Sequence, residues 1–223
     1  MKNLQIQYND CNSIQETAMI QALRQTVTFD EFIERYPEHS EVRYELHQGV
    51  IVEMPKPKGP HSFVAGFTVA ELNFEIRRLG VPYAIPKECI VRSADRDSAY
   101  EPDAIVLDKQ AIVNETRWEK SSVIENGASI KLIVEVVSTN WRDDYFKKFA
   151  DYEALGIQEY WIVDYAGLGG RRFVGNPKQP TLVVCALVDG EYEMQAFREN
   201  DRILSPTFPE LTLTASQISA AQS

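Results

Sequence analysis

Cysteine is scarce in this chain and shows no pairing. Cys11, Cys89 and Cys185 are odd in number, far apart and in no CxxC arrangement. That excludes a disulfide framework or a zinc knuckle and is the pattern of a protein kept in a reducing cytoplasm. No apolar run approaches the length that spans a bilayer, so no membrane partner is expected. The opening MKNLQIQYNDCNSIQET lacks a basic region followed by an apolar stretch, which argues against a secretory signal. Residues 1–26 read instead as a loosely attached leader. Dense basic blocks are missing too: KPK at 56–58 and the RR pairs at 77–78 and 171–172 are short, against a formal net charge of −10. Phosphate neutralisation dominates tight nucleic-acid binding, so this balance excludes a tight non-specific DNA binder. A weakly bound or metal-dependent one remains, because clustered carboxylates are what a cation site needs. No internal repeat or low-complexity tract breaks the chain.

What is present suits one substantial domain over 27–223, with 44% hydrophobic and 25% charged residues. TFDEFIERYPE (28–38) predicts a short helix capped by Thr28 or Asp30 and ended by Pro37. VRYELHQGVIVEMP (42–55) alternates and breaks at Gln48-Gly49, a hairpin signature. In the stretch that follows, Phe63, Phe67, Ala70, Phe74 and Ile76 fall near helical spacing up to Gly80. Strands are expected at VPYAIP, ECIVRS, PDAIVLD (102–108), KLIVEVVS (131–138) and EYWIVDY (159–165), with a helix at WRDDYFKKFADYEALG. A final hairpin turns at Asp189-Gly190, and SPTFPELTL reads as a closing strap on the surface. The order predicts an α/β (α+β) fold: one mixed β-sheet flanked by helices, with an extra C-terminal β-hairpin. Tyr160 and Trp161 are assigned to packing.

The strand KLIVEVVS contains one residue out of keeping, Glu135, since an unpaired charge inside an apolar β-branched run is strongly disfavoured. Either it faces a cleft or it holds something positive, such as a structural Arg142. Asp103, after Pro102, opens another apolar run. If these strands pair, the two carboxylates converge on a site for a hard divalent cation, with the Val136 backbone carbonyl as a further oxygen ligand. Two residues past Glu135, on the same strand face, stands Val137 where a lysine would complete the site. At about 100° per residue, the next helix turns Lys148 toward its apolar face of Tyr145, Phe149, Tyr152 and Leu155. Asp144, four residues earlier, could pair with Lys148 or orient it. A snorkelling surface lysine is the plainer alternative.

Pro102-Asp103, Glu135-Val-Val137 and a helical Lys148 resemble the PD-(D/E)XK nuclease superfamily with a migrated lysine. More closely, YELHQGVIVEM, PHSFV, EPDAIVL, VEVVS, DDYFKKFADYEALGIQEYWIVD and SPTFPELTL resemble the Uma-two family of restriction-endonuclease-like proteins, from about residue 28 to the end. The resemblance implies a restriction-endonuclease-like core, hydrolysis of phosphodiester bonds, most readily in DNA, with Mg2+ (or Mn2+) activating the attacking water, and homodimers in some members. It makes Asp103 and Glu135 the metal ligands and Lys148 the catalytic cation. Glu45 matches an early acidic position, and His61 a histidine before the long helix, a candidate general base. A catalytically degenerate binding or assembly module and a phosphoesterase acting on a small nucleotide are the alternative functions.

Overall fold

The computed structural model describes residues 26–37 and 42–223; of the expected leader only Thr26 falls among them. The first helix, α1 (Phe29–Arg35), begins in a reciprocal cap. Thr28 Oγ1 accepts from the Glu31 N–H at 3.2 Å, and the Glu31 carboxylate accepts from the Thr28 N–H at 2.8 Å. The hairpin of β1 (Arg43–His47) and β2 (Val50–Met54) turns through Gln48 and Gly49, both left-handed at φ 51° and 78°. Glycine is required at 49 twice over, since a Cβ there would also lie 2.8 Å from the Thr26 side chain.

Helix α2 (Gly59–Leu79) ends at Gly80 with φ 65°. The aromatic residues whose spacing signals this helix are not the ones it buries. Phe63 and Phe74 are 63% and 58% exposed, whereas His61, Val64, Thr68, Leu72, Glu75 and Ile76 face the core. That inner stripe is disguised by polar residues with local partners: Thr68 donates to the Val64 carbonyl, and Glu75 accepts from Arg78.

Among the described residues eleven strands form two mixed sheets in place of the single one expected. The smaller is ordered β2-β1-β5-β4-β7, with β4 (Ile90–Arg92), β5 (Ala99–Tyr100) and β7 (Val123–Ile124) only two or three residues long. The larger is ordered β11-β10-β9-β8-β6-β3. It contains β3 (Tyr83–Ala84), β6 (Ala104–Asp108), β8 (Ile130–Val136), β9 (Glu159–Asp164), β10 (Thr181–Val188) and β11 (Glu191–Phe197). The expected C-terminal hairpin is β10–β11, at the edge of this sheet. Glu101-Pro102-Asp103 is the joint between the sheets, because the chain leaves β5 there and enters β6. Proline cannot donate to a ladder, so pairing breaks at this point.

Strands β8 and β9 are parallel and need a crossover. It is supplied by a π-helical turn, Asp143–Lys148, continuing into α4 (Phe149–Ala154). The large sheet is covered on both faces, which explains its apolar strands. Val106, Val134 and Trp161 pack toward α2, while Ile105, Ile133 and Tyr160 pack toward the crossover helix. Short helices α3 (Trp118–Ser121), α5 (Arg171–Val174) and α6 (Ala215–Ala220) fill the connections. Among the described residues no helix is long and apolar enough to cross a membrane.

The segment expected to be a surface strap is part of the core. Phe208, Leu211 and Leu213 are buried with the α2 side of the sheet. Glu159, fully buried at the start of β9, holds the strap in place. It accepts from Thr207 N–H at 2.7 Å, Ser205 Oγ at 3.0 Å and Trp161 Nε1 at 2.6 Å. Burial pushes its carboxyl above the usual range, and these donors oppose the rise. Glu159→Ala would orphan three buried donors and is expected to lower the unfolding free energy by about 3 kcal/mol, read by denaturant titration. A loss below about 1 kcal/mol would show that the strap is held by apolar contacts alone.

Candidate active site

Antiparallel β6 and β8 pair Ala104 with Val134, which places Asp103 beside Glu135 one rung further on. Asp103 is fixed by three neighbours. It accepts from the Val136 N–H at 2.8 Å, meets His61 Nε2 at 3.3 Å and faces Arg43 at 3.8 Å. Burial alone would raise its pKa, but the His61 hydrogen bond and charge, the Val136 N–H and Arg43 together hold it below the usual carboxylate range. His61 is raised in return: burial lowers it, and Asp103 outweighs that.

Lys148 is brought inward by the π-helical turn, whose extra residue per turn lets Asp144, Tyr145 and Lys148 all face the protein. Its Nζ donates to Glu45 Oε1 and to Glu135 Oε1, each at 3.0 Å. The Tyr152 hydroxyl donates to the same Glu135 oxygen at 2.8 Å. Glu45 also meets His47 Nε2 at 2.8 Å and accepts from the Glu101 N–H at 3.3 Å. Burial works against ionised Glu45, but Lys148 and His47 overcome it and hold the carboxyl at about 2. Glu135 is pushed up to about 7, first by burial and then by the charges of Asp103 and Glu45, with Lys148 opposing. Asp144 is raised further by burial. Lys148, although buried, is raised well above its ordinary value because four carboxylates surround it, and it stays an ammonium.

Glu135 therefore both faces the cleft and holds a cation. That cation is Lys148; Arg142 is exposed, and among the described residues it forms no ion pair. Asp144 is near enough to feel Lys148, yet no direct ion pair joins them among the described residues. Val137 is packed in the apolar core, so the position where a strand lysine would stand is filled.

These groups line a cleft of about 380 Å³ that takes in Arg43, Glu45, His61, Asp103, Glu135, Val136, Asp144 and Lys148. The loop Met54–Lys58 forms its rim, with Lys56 and Lys58 exposed. Sequence reasoning missed Arg43 and Tyr152. Arg43 stands two residues before Glu45 on one strand face, and Tyr152 four residues after Lys148 on one helix face, so periodicity carried both signals.

Removing the ammonium would leave two carboxylates buried against each other. Lys148→Met is expected to cost about 3 kcal/mol of stability at neutral pH, and adding Glu45→Gln should restore part of it. Denaturant titration of both variants reads this. Equal stability of the wild type and Lys148→Met would mean that the ion cluster does not hold the helix to the sheets.

Comparison with known proteins identifies the fold and the family. A solved structure described as a "putative nuclease belonging to DUF820" from Anabaena variabilis superposes with a TM-score of 0.68 at 21% identity, covering 88% of this chain and 99% of that one. At that identity it establishes the shared fold. No curated protein matches the chain. The Uma2 family model, described as "Putative restriction endonuclease", matches residues 29–216, which span both sheets and every residue of the cleft. The chain belongs to the Uma2 family of restriction-endonuclease-like proteins.

Proposed function

We propose that this protein is a Mg2+-dependent endonuclease that hydrolyses phosphodiester bonds, most readily in DNA. The observation that carries this reading is the meeting of Asp103 and Glu135 from adjacent strands in one cleft, with the Lys148 ammonium on Glu135. The donor set suits a divalent ion. Glu45, Asp103, Glu135 and Asp144 crowd one buried lysine, and burial, with the neighbouring carboxylates adding to it, raises Glu135 and Asp144. Among the described residues no three His, Cys, Asp or Glu side chains form an all-protein metal cage. Mg2+ seldom needs one, being held by one or two carboxylates, water and substrate phosphate. Asp103, Glu135 and the Val136 carbonyl would hold Mg2+ or Mn2+. The ion would supply a Lewis acid for the phosphoryl group and a lowered pKa for water.

The chain's own groups do the rest. Lys148, kept protonated by its carboxylates, is a charge stabiliser for the phosphoryl oxygens rather than a base. Glu45 positions Lys148 from the smaller sheet, and Tyr152 positions Glu135. His61 orients Asp103 and stands within reach of a proton in the cleft. Lys56 and Lys58 on the rim suit incoming phosphates. The partner on this reading is nucleic acid, weakly bound and met in the cytoplasm. A homodimer fits as well, with the exposed Phe63 and Phe74 of α2 as apolar surface for a second copy to cover.

A second reading is favoured by Lys148 already being satisfied on both sides: a degenerate nuclease fold kept as a binding or assembly module would retain this ion cluster for stability. Incubation with supercoiled plasmid and Mg2+ or Mn2+ separates the two. Nicking is expected, falling about 100-fold or more in Asp103→Asn and in Glu135→Gln. Calorimetry should show Mn2+ uptake that Asp103→Ala abolishes. Absent nicking with no Mn2+ uptake supports the module, and nicking that survives both Glu135→Ala and Lys148→Ala removes the assignment of the site.

A further inference from the structure

The crossover helix and α5 place a second, aromatic and cationic surface beside the cleft. Trp141, Phe146 and Phe173 form it. Tyr145 stacks beneath Phe173 with ring centroids 4.3 Å apart, and Phe146 meets Phe173 edge-on at 5.7 Å. Phe146 is 43% exposed, unusual for a ring on a helix that otherwise packs inward. The Arg172 guanidinium lies over the Phe146 and Phe173 rings at 4.7 and 4.4 Å, and Arg142 lies over Trp141 at 4.6 Å. Beside Phe146 and Phe173 runs a groove floored by Val183, Met194 and Ala196.

Three features set this surface apart. Arg142, Arg171 and Arg172 are exposed, and among the described residues none of their guanidinium groups has an ion pair or a hydrogen bond, in a chain of net charge −10. Asp143 is the acid nearest them in sequence on the helix, and it turns toward the cleft lining. The surface is also continuous with the cleft through both of its segments. Asn140 and Asp143 line the cleft on either side of Trp141, and Leu168 lines it just before Gly170, where a Cβ would lie 3.2 Å from the Trp141 ring.

We propose that this ledge binds unpaired nucleotides, so that the substrate reaching the cleft includes a single-stranded segment. The inference deepens the nuclease reading and rests on it for what happens in the cleft. The chemistry favours single strands on two grounds. A duplex hides the faces of its bases, whereas exposed rings offer them a stacking surface. A duplex is gripped chiefly through phosphates, which calls for a broad basic stripe, whereas the two guanidiniums of Arg142 and Arg172 over aromatic rings suit a short run of phosphates with stacked bases.

The test measures binding apart from cleavage. Wild-type protein in EDTA is titrated into a short fluorescein-labelled oligothymidylate and into a labelled duplex of the same length, with anisotropy as the readout. The single strand is expected to bind tighter, and the double variant Phe146→Ala/Arg172→Ala to lose about tenfold or more of that affinity. Thermal midpoints establish that the variant is folded. Tryptophan emission provides a check that needs no variant of the ledge's arginines: oligothymidylate should quench it, and Trp141→Phe should remove the quench. Equal affinity for duplex and single strand, an unchanged double variant or an unquenched Trp141 overturns the ledge, whether or not the protein nicks plasmid. Binding that behaves as expected without any nicking upholds the ledge and removes the proposed hydrolysis instead.

Discussion

One buried ammonium ties this structure together. Lys148 comes from the crossover helix, Glu45 from the smaller sheet and Glu135 from the larger one, so a single nitrogen joins three layers that share little backbone pairing. Burying such a charge is expensive unless geometry and further hydrogen bonds are good. Here the carboxylates have their own secondary donors: Tyr152 on Glu135, and His47 and the Glu101 N–H on Glu45. The crossing point of the two sheets and the floor of the cleft are therefore the same place.

Aromatic rings wall one side of that place. Tyr152 stacks edge-on with Tyr100 and Tyr160, at 5.8 and 5.1 Å. Tyr100 is itself anchored by its hydroxyl on Asp151, and Tyr160 by its hydroxyl on the Asp144 carbonyl. Each ring supplies apolar area on one side and a placed hydroxyl on the other. The polar groups of the crossover helix thus become part of its packing, which is how an acid-rich segment such as DDYFKKFADYEALG docks against a sheet. The π-helical turn belongs to the same solution, since Asp144, Tyr145 and Lys148 must all turn inward within five residues.

Much of this was legible because it is local. The Gln48-Gly49 and Asp189-Gly190 hairpins, the Thr28 cap and the Gly80 stop follow from turn and cap chemistry, and all stand where sequence placed them. Lys148 could be turned inward from helical periodicity alone. What sequence could not show is pairing over distance. The partition into two sheets depends on where β5 ends, and two-residue strands leave no pattern. The strap at 205–213 looked superficial because prolines dominate it, while its anchor, Glu159, lies 46 residues earlier, counted to Ser205. On α2 the aromatics misled because hydrophobicity outranked burial: His61, Thr68 and Glu75 turn inward through partners that sequence does not display.

Net charge says less about the surface than its size suggests, because burial removes part of it. Among the described residues eight acids are buried but only one lysine, so part of the formal negative charge lies inside the protein. Buried carboxylates that are paired, hydrogen-bonded or protonated contribute little to the field a polyanion meets at the surface. At physiological ionic strength exposed charges act over about 8 Å, so an approaching phosphate responds to the nearest few groups rather than to the whole chain. At the cleft those groups include Lys56 and Lys58, and Arg142 and Arg172 lie over the aromatic rings beside it. An acidic chain can thus still present a small basic rim to a polyanion. The acids gathered around Lys148 are committed to holding that lysine, and add little to the field outside.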